Sequence, residues 1–275
     1  FRAAEYLAQY AVKLIQRDQA DSSHRYWGLE DTFIDLMQGQ PVDNRDLQTT
    51  LNILGWSPMG KFLCIKLCNQ DESLSVKPDK VLNSTLSLKI NGSFTFRCEG
   101  KLCIVVDRTQ PGTDVGSLRH ILSPMVRDSC MYAGLSGTIE GIRDLKLGFR
   151  QADLALNHIL HENNSQWVMA FEDCALAYIR SCALKELPTA MLCDSSLETL
   201  RRHDSQSGTE YYKTLRQYLL QERNIPRTAE ALIIHRTTLT YRLQKISQLV
   251  HMDLEDPEKR LYLLLSFYLQ EHGES

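Results

Sequence analysis

Along residues 224–250 the apolar positions fall into two short helical periods placed end to end. Ala229, Leu232 and Ile233 stand at i, i+3 and i+4, which predicts one face of a short helix. Leu239, Leu243, Ile246 and Val250 repeat by four, three and four, which predicts one face of a second helix. Ile234-His235-Arg236 forms the connection, with Ile234 where many such motifs carry a turn glycine. Two helices joined in this way, the second with a polar side, are what a helix-turn-helix needs. That polar side is predicted from Thr238, Tyr241, Arg242 and Lys245, spaced by three, one and three and read as facing away from Leu239 and Leu243.

The same periodicities divide the rest of the chain. Ala4, Leu7, Ala11 and Leu14 form a stripe two heptads long, read as a parallel dimer helix in preference to a helix packed on its own domain. Two helices are expected over Leu29 to Met37 and Val42 to Leu54, separated by Gly39-Gln40-Pro41 and ended by Gly55. From Lys61 the period changes to that of strands. Strands are predicted over Phe62 to Leu67, Ser93 to Cys98, Leu102 to Val106, Met131 to Leu135 and Trp167 to Phe171. Helices are predicted over Asp79 to Ile90, over Val115 to Ser129 with a break at Pro124, and over Leu145 to Leu160. This β-α-β-β-α-β-α-β order predicts an α+β sandwich, with helices on an antiparallel-rich sheet. Cys174 to Leu187 reads as a further helix stopped by Pro188, and the polar, Ser-rich run Asp194 to Gly208 as the main linker. Tyr211 to Gln221 and Leu261 to Leu269 read as the outer helices of a small C-terminal domain, the last one started by Asp256-Pro257-Glu258.

Composition narrows the function classes. Of the 275 residues 43% are hydrophobic and 24% charged, as in soluble globular proteins, and no apolar run reaches the roughly 20 residues a membrane helix needs. The formal net charge of −3 argues against a protein that coats nucleic acid, but not against a local basic face. Eight cysteines are scattered with no Cys-x-x-Cys pair, which fits a reduced, cytoplasmic chain without a zinc site. A redox pair of Cys98 and Cys103 is a minor alternative. His158, His161 and Glu162 share a predicted helix face, and a solvated surface is preferred over a metal site there. The chain begins at Phe1 without a methionine, so we expect it to belong to a longer protein whose N-terminal sensor lies upstream.

Chemistry concentrates at the C-terminal end. Between Pro226 and Val250 the bases are Arg227, Arg236, Arg242 and Lys245, and the only acid is Glu230. A basic, threonine-rich helix face fits a major groove, where arginine reads guanine and hydroxyls reach bases or phosphates. The expected phosphate contacts are Arg227, His235, Arg236 and Lys245, and Thr228 is expected among the DNA-binding residues without an assigned contact. Base readout is expected from Thr237, Thr238, Tyr241 and Arg242.

The stretch from about Tyr211 to Leu269 resembles the C-terminal helix-turn-helix domain of the PucR family of bacterial transcription regulators, the group that includes CdaR. The resemblance is carried by Asn224, Thr228-Ala229, His235-Arg236-Thr237-Thr238-Leu239-Thr240-Tyr241-Arg242-Leu243, Asp253-Leu254-Glu255-Asp256-Pro257 and Arg260. Thr237 stands where the family usually has asparagine. Residues from about Lys61 to Asp173, with Gly134-Leu135-Ser136 and Phe149 to Leu156, resemble the degenerate GGDEF-like domain that precedes it in such regulators. True GGDEF cyclases hold two metals with carboxylates at the end of the first strand and in a signature hairpin. Here the strand Cys64-Ile65-Lys66-Leu67-Cys68 has no acid and the hairpin Arg97-Cys98-Glu99-Gly100-Lys101 has one, so no cyclase activity is expected. The resemblance thus implies a homodimeric, non-enzymatic regulator without cofactor or metal, binding double-stranded DNA. Its expected domains are a helical signalling segment (1–58), a GGDEF-like domain (59–175), a helix and linker (176–208) and a PucR-type domain (209–275). The alternative is a nucleotide- or metabolite-binding sensor whose C-terminal bundle mediates protein interaction.

Overall fold

The structure, a computed structural model, describes residues 28–70, 80–161, 166–251 and 253–272. The Ala4 to Leu14 stripe and Glu162 lie outside the described residues. Two compact units divide the chain, Phe1–Ala175 and Leu176–Ser275.

The first unit opens with helix α1 (residues 28–38) and helix α2 (Asn44–Leu54). The Asp43 carboxylate caps α2 by accepting from the Arg45 amide at 2.7 Å, and Gly55 closes it at φ +69°. Then follow β1 (Lys61–Asn69), α3 (Lys80–Lys89), β2 (Ser93–Cys98), β3 (Lys101–Asp107), α4 (Val115–Asp128), β4 (Met131–Leu135), β5 (Ile139–Glu140), α5 (Leu145–His161) and β6 (Val168–Ala170). The strand order is β2-β3-β1-β4-β6, with β5 beside β1. All pairs are antiparallel except β4 with β6. The fold is therefore α+β. Pro124 lies inside α4 and does not break it as its sequence position suggested.

Central strand β1 explains the layering. Leu63, Ile65 and Leu67 belong to a core with α3 and α4, while Phe62 and Cys64 belong to one with α1, α2 and α5. Both faces are covered, so seven consecutive residues of β1 are buried. Each Leu or Ile buried in this way contributes roughly 1.5–3 kcal/mol. The β2–β3 register turns through Glu99 and Gly100, both at positive φ (52° and 75°), the geometry of a two-residue hairpin loop that follows the twist of the strands. Helix α5 crosses β4 at backbone contact. A Cβ on Gly134 would lie 2.1 Å from the Ala152 carbonyl oxygen and 2.8 Å from the Leu156 nitrogen, so only glycine fits.

At the α5 side of β1 a lysine stands inward. Lys66 pairs with Asp153 at 2.5 Å, and Lys101 approaches the same carboxylate at 3.5 Å. Burial pushes the Cys98 thiol up and the Cys103 thiol to about 12. Buried, protonated thiols are inert, which argues against the redox pair.

The second unit contains α7 (Thr189–Leu192), α8 (Ser195–Ser207), α9 (Tyr211–Leu220), α10 (Ile225–Ala231), α11 (Arg236–Val250) and α12 (Pro257–His272), and helix α6 (Phe171–Leu184) leads into it. Where a polar linker was expected, α8 is an ordered helix. Its polar composition hides two fully buried leucines, Leu197 and Leu200, placed i and i+3. Asp194 caps its start by accepting from the Ser196 amide at 2.9 Å, and Gly208 closes it at φ +63°. From the last turn of α8, Asp204 accepts from the Tyr211 and Tyr212 amides, each at 2.8 Å, and so caps α9. The core gathers Leu197, Leu200, Leu215, Leu219, Ile246, Leu263 and Phe267. Lys259 on α12 is ion-paired with the Asp194 carboxylate. Burial pushes that carboxyl up, but hydrogen bonds from Lys259 and Ser196 outweigh it and hold it below the usual carboxylate value.

Candidate nucleic-acid interface

Helix α10 begins at Asn224, whose side chain accepts from the Arg227 amide at 3.0 Å, with Pro226 in the first turn, where a missing amide hydrogen costs nothing. It is short because the chain turns at Ile233, which adopts φ +56° and is 92% exposed. Ile233 was expected on the buried face and Ile234 at the turn. The structure reverses this: Ile233 takes the left-handed position, and the Ile234 amide donates to the Ala229 carbonyl at 3.0 Å. Left-handed backbone costs an L-residue roughly 1–2 kcal/mol, and a β-branched residue is an outlier there.

His235 then caps α11. Its Nδ1 lies 3.4 Å from the Thr237 amide nitrogen, which donates to it, and 2.8 Å from the Thr237 hydroxyl. Leu239 and Ile246 are fully buried and Leu243, Leu249 and Val250 partly so, which fixes the rotation of the helix. Opposite them, Thr237, Tyr241, Gln244 and Gln248 are exposed, stepping by four, three and four. Arg236, Thr238, Thr240 and Lys245 are also exposed. The Lys245 ammonium lies 5.6 Å from the Tyr241 ring centre. Arg227 is exposed at the start of α10. Among the described residues, Arg227, Arg236 and Lys245 form no ion pair.

Two members of the expected set are placed differently. Thr228 is fully buried, and its hydroxyl donates to the Asn224 carbonyl at 2.7 Å. Arg242 sits 60° from the buried line of Leu239 rather than opposite it, because one residue beyond Tyr241 turns the helix by about 100°. Its side chain is 21% exposed and donates to Glu210 at 3.2 Å and to Thr214 at 3.1 Å, both on the α9 side. Thr240, Gln244 and Gln248 were missed. A helical wheel centred on Leu239 and Ile246 places Gln244 and Gln248 on the far side of the helix.

The assembled surface is a helix with a capped N-terminus, an outward row of hydroxyl, phenol and amide groups, and flanking cations. Residues 211–269 match the PucR C-terminal helix-turn-helix domain. That stretch of the chain is thus similar to the helix-turn-helix domain of PucR-type transcription regulators. The PucR-type match starts at α9, so α8 lies outside it although it shares the core. Over 76 residues the chain is 38% identical to the proline-responsive transcriptional activator PutR of Bacillus subtilis, covering 28% of this chain and 18% of that protein. Over 234 residues it is 24% identical to the purine catabolism regulatory protein of the same organism, covering 76% of this chain and 42% of that one. The matched stretches thus span less than half of each relative. A crystal structure of a regulator of polyketide synthase expression from Bifidobacterium adolescentis covers 90% of this chain and 94% of its own, at 15% identity and a TM-score of 0.40.

Elsewhere, a cavity of about 580 Å³ lies between α1 and α2, lined among others by Asp31, Asp35, Asp43 and Asp46. Its acidic lining is the wrong sign for nucleic acid. Among the described residues no group of three or more His, Cys, Asp or Glu is placed to hold a metal ion, and no helix is long and apolar enough to cross a membrane.

Proposed function

We propose that this chain is a sequence-specific DNA-binding transcription regulator that places α11 in the major groove. The observation that carries this reading is the outward face of α11, polar and flanked by Arg227, Arg236 and Lys245, on a helix whose rotation its buried leucines fix. Arg227, His235, Arg236 and Lys245 are the phosphate contacts in this reading. The protein acts as a homodimer on two half-sites about one helical turn apart. The sheet unit is a GGDEF-like module for dimerisation or signal relay, without cyclase activity. What supports the lack of cyclase activity is that β1 carries no carboxylate between Cys64 and Cys68.

Fluorescence anisotropy of this chain on DNA from its own upstream region, against random DNA over a salt series, tests the proposal. Tighter binding to the upstream DNA, weakening steeply with salt, is the expected result. Absence of binding to either DNA at low salt would remove it and favour a ligand-binding sensor whose helical bundle contacts protein.

A further inference from the structure

We infer that Gln244 is the principal base-reading residue of α11 and that Arg242 is a positioning residue that touches no base. This deepens the DNA-binding reading above and rests on it.

Several outward or flanking groups of α11 are already engaged within the chain. The Thr237 hydroxyl lies 2.8 Å from His235 Nδ1 in the cap of the helix. The Thr240 hydroxyl donates to the Arg236 carbonyl at 3.0 Å. The Arg242 guanidinium is spent on Glu210 and Thr214. Of the outward row, Gln244 and Gln248 carry amide groups with no intrachain partner among the described residues, and both are exposed. Recognition helices present their N-terminal part to base edges. Gln244 lies one turn closer to that end than Gln248 and within the row that begins at Thr237. A glutamine amide has a donor and an acceptor side by side, which match the N6 amino group and N7 of adenine in the major groove. Tyr241, 56% exposed and one turn before Gln244, supplies an aromatic wall beside it.

Arg242 acts through the fold. By bridging to Glu210 and Thr214 it fixes α11 against the start of α9. The base-edge row and the clamp are therefore on different sides of one helix.

The test is selection of randomised DNA duplexes by the chain as it stands, followed by sequencing of the bound fraction, for wild type, Gln244→Ala and Arg242→Lys. Gln244 is exposed, so its replacement leaves the fold intact, and circular dichroism of each variant checks this. Wild type should enrich a motif with a required adenine in each half-site. Gln244→Ala should lose roughly tenfold in preference at that base pair alone, with an unchanged salt slope. Arg242→Lys should keep the motif and weaken every sequence alike. An unchanged motif in Gln244→Ala, or a guanine preference lost only in Arg242→Lys, overturns the assignment while leaving DNA binding in place. Wild type that enriches nothing and shows no salt-dependent binding overturns the DNA-binding reading as well.

Discussion

In the sheet unit, charge is drawn inward and neutralised: Lys66 and Lys101 share the Asp153 carboxylate on the face that Phe149 and Cys103 also line. In the helical unit, Arg242 is drawn inward in the same way, but Arg227, Arg236 and Lys245 stay exposed. The two units also differ in what fixes their geometry. The sheet unit has side-chain caps too, as at Asp43, but depends as well on backbone fit, as at Gly134 under α5. The helical unit depends on side chains that cap and clamp helices: Asp194, Asp204, Asn224, His235 and Arg242. The contrast teaches that residue type alone does not assign a role. Two arginines six positions apart on α11 differ because one lies on the side that packs on α9.

The sharpest way to break the comparison is at Gly134. Gly134→Val should cost about 3 kcal/mol or more, because the new carbons meet backbone rather than a movable side chain. Urea unfolding followed by tryptophan fluorescence reports it, since Trp56 and Trp167 belong to the first unit and residues 176–275 contain no tryptophan. A cost below that of a surface substitution would mean that α5 can move off β4.

In the helical unit the largest effect should come from Asp194→Ala, which removes the α8 cap and the partner of Lys259. We expect a loss of about 2 kcal/mol, read by thermal unfolding with far-ultraviolet circular dichroism. The same carboxylate sets a pH dependence. Its folded pKa lies below the unfolded value of about 3.9. Its contribution is thus fully present above that value and is lost as pH falls through the lower folded one. Asp194→Asn should flatten this acid limb, and an unaltered limb would assign it to other carboxylates.

Arg242→Ala should destabilise the unit by about 1 kcal/mol, the size of a partly exposed charged hydrogen bond lost. A null effect on stability combined with lost DNA selectivity would reverse its assigned role. Ile233→Asn should do the opposite and raise stability by up to about 1 kcal/mol, because asparagine tolerates the left-handed turn that isoleucine resists. A loss there would mean that the exposed side chain has a stabilising contact.

How much of this was legible in the sequence varies with the kind of signal. The strand and helix order of the sheet unit could be read from periodicity because both faces of β1 are buried and its turns carry glycine. The two helices of the C-terminal motif were equally plain. Helix α8 was not, since Leu197 and Leu200 are only two apolar positions among arginine, serine and aspartate, and the side chains of Asp194 and Asp204 also tie it to Lys259 on α12 and to the start of α9. The turn was misplaced by one residue because apolar spacing put Ile233 in the core, and nothing in a β-branched residue advertises positive φ. Arg242 was expected opposite Leu239 and Leu243 from its spacing, whereas its partner Glu210 is 32 positions away and becomes a neighbour only in the fold.

The central claim is that the outward row of α11, and not its inward arginine, meets DNA. The most direct measurement is the salt dependence of binding to upstream DNA for wild type, Arg236→Ala and Arg242→Ala. Arg236→Ala should lower the slope by about one contact, and Arg242→Ala should leave it as it is. A slope reduced by Arg242→Ala and untouched by Arg236→Ala would contradict it.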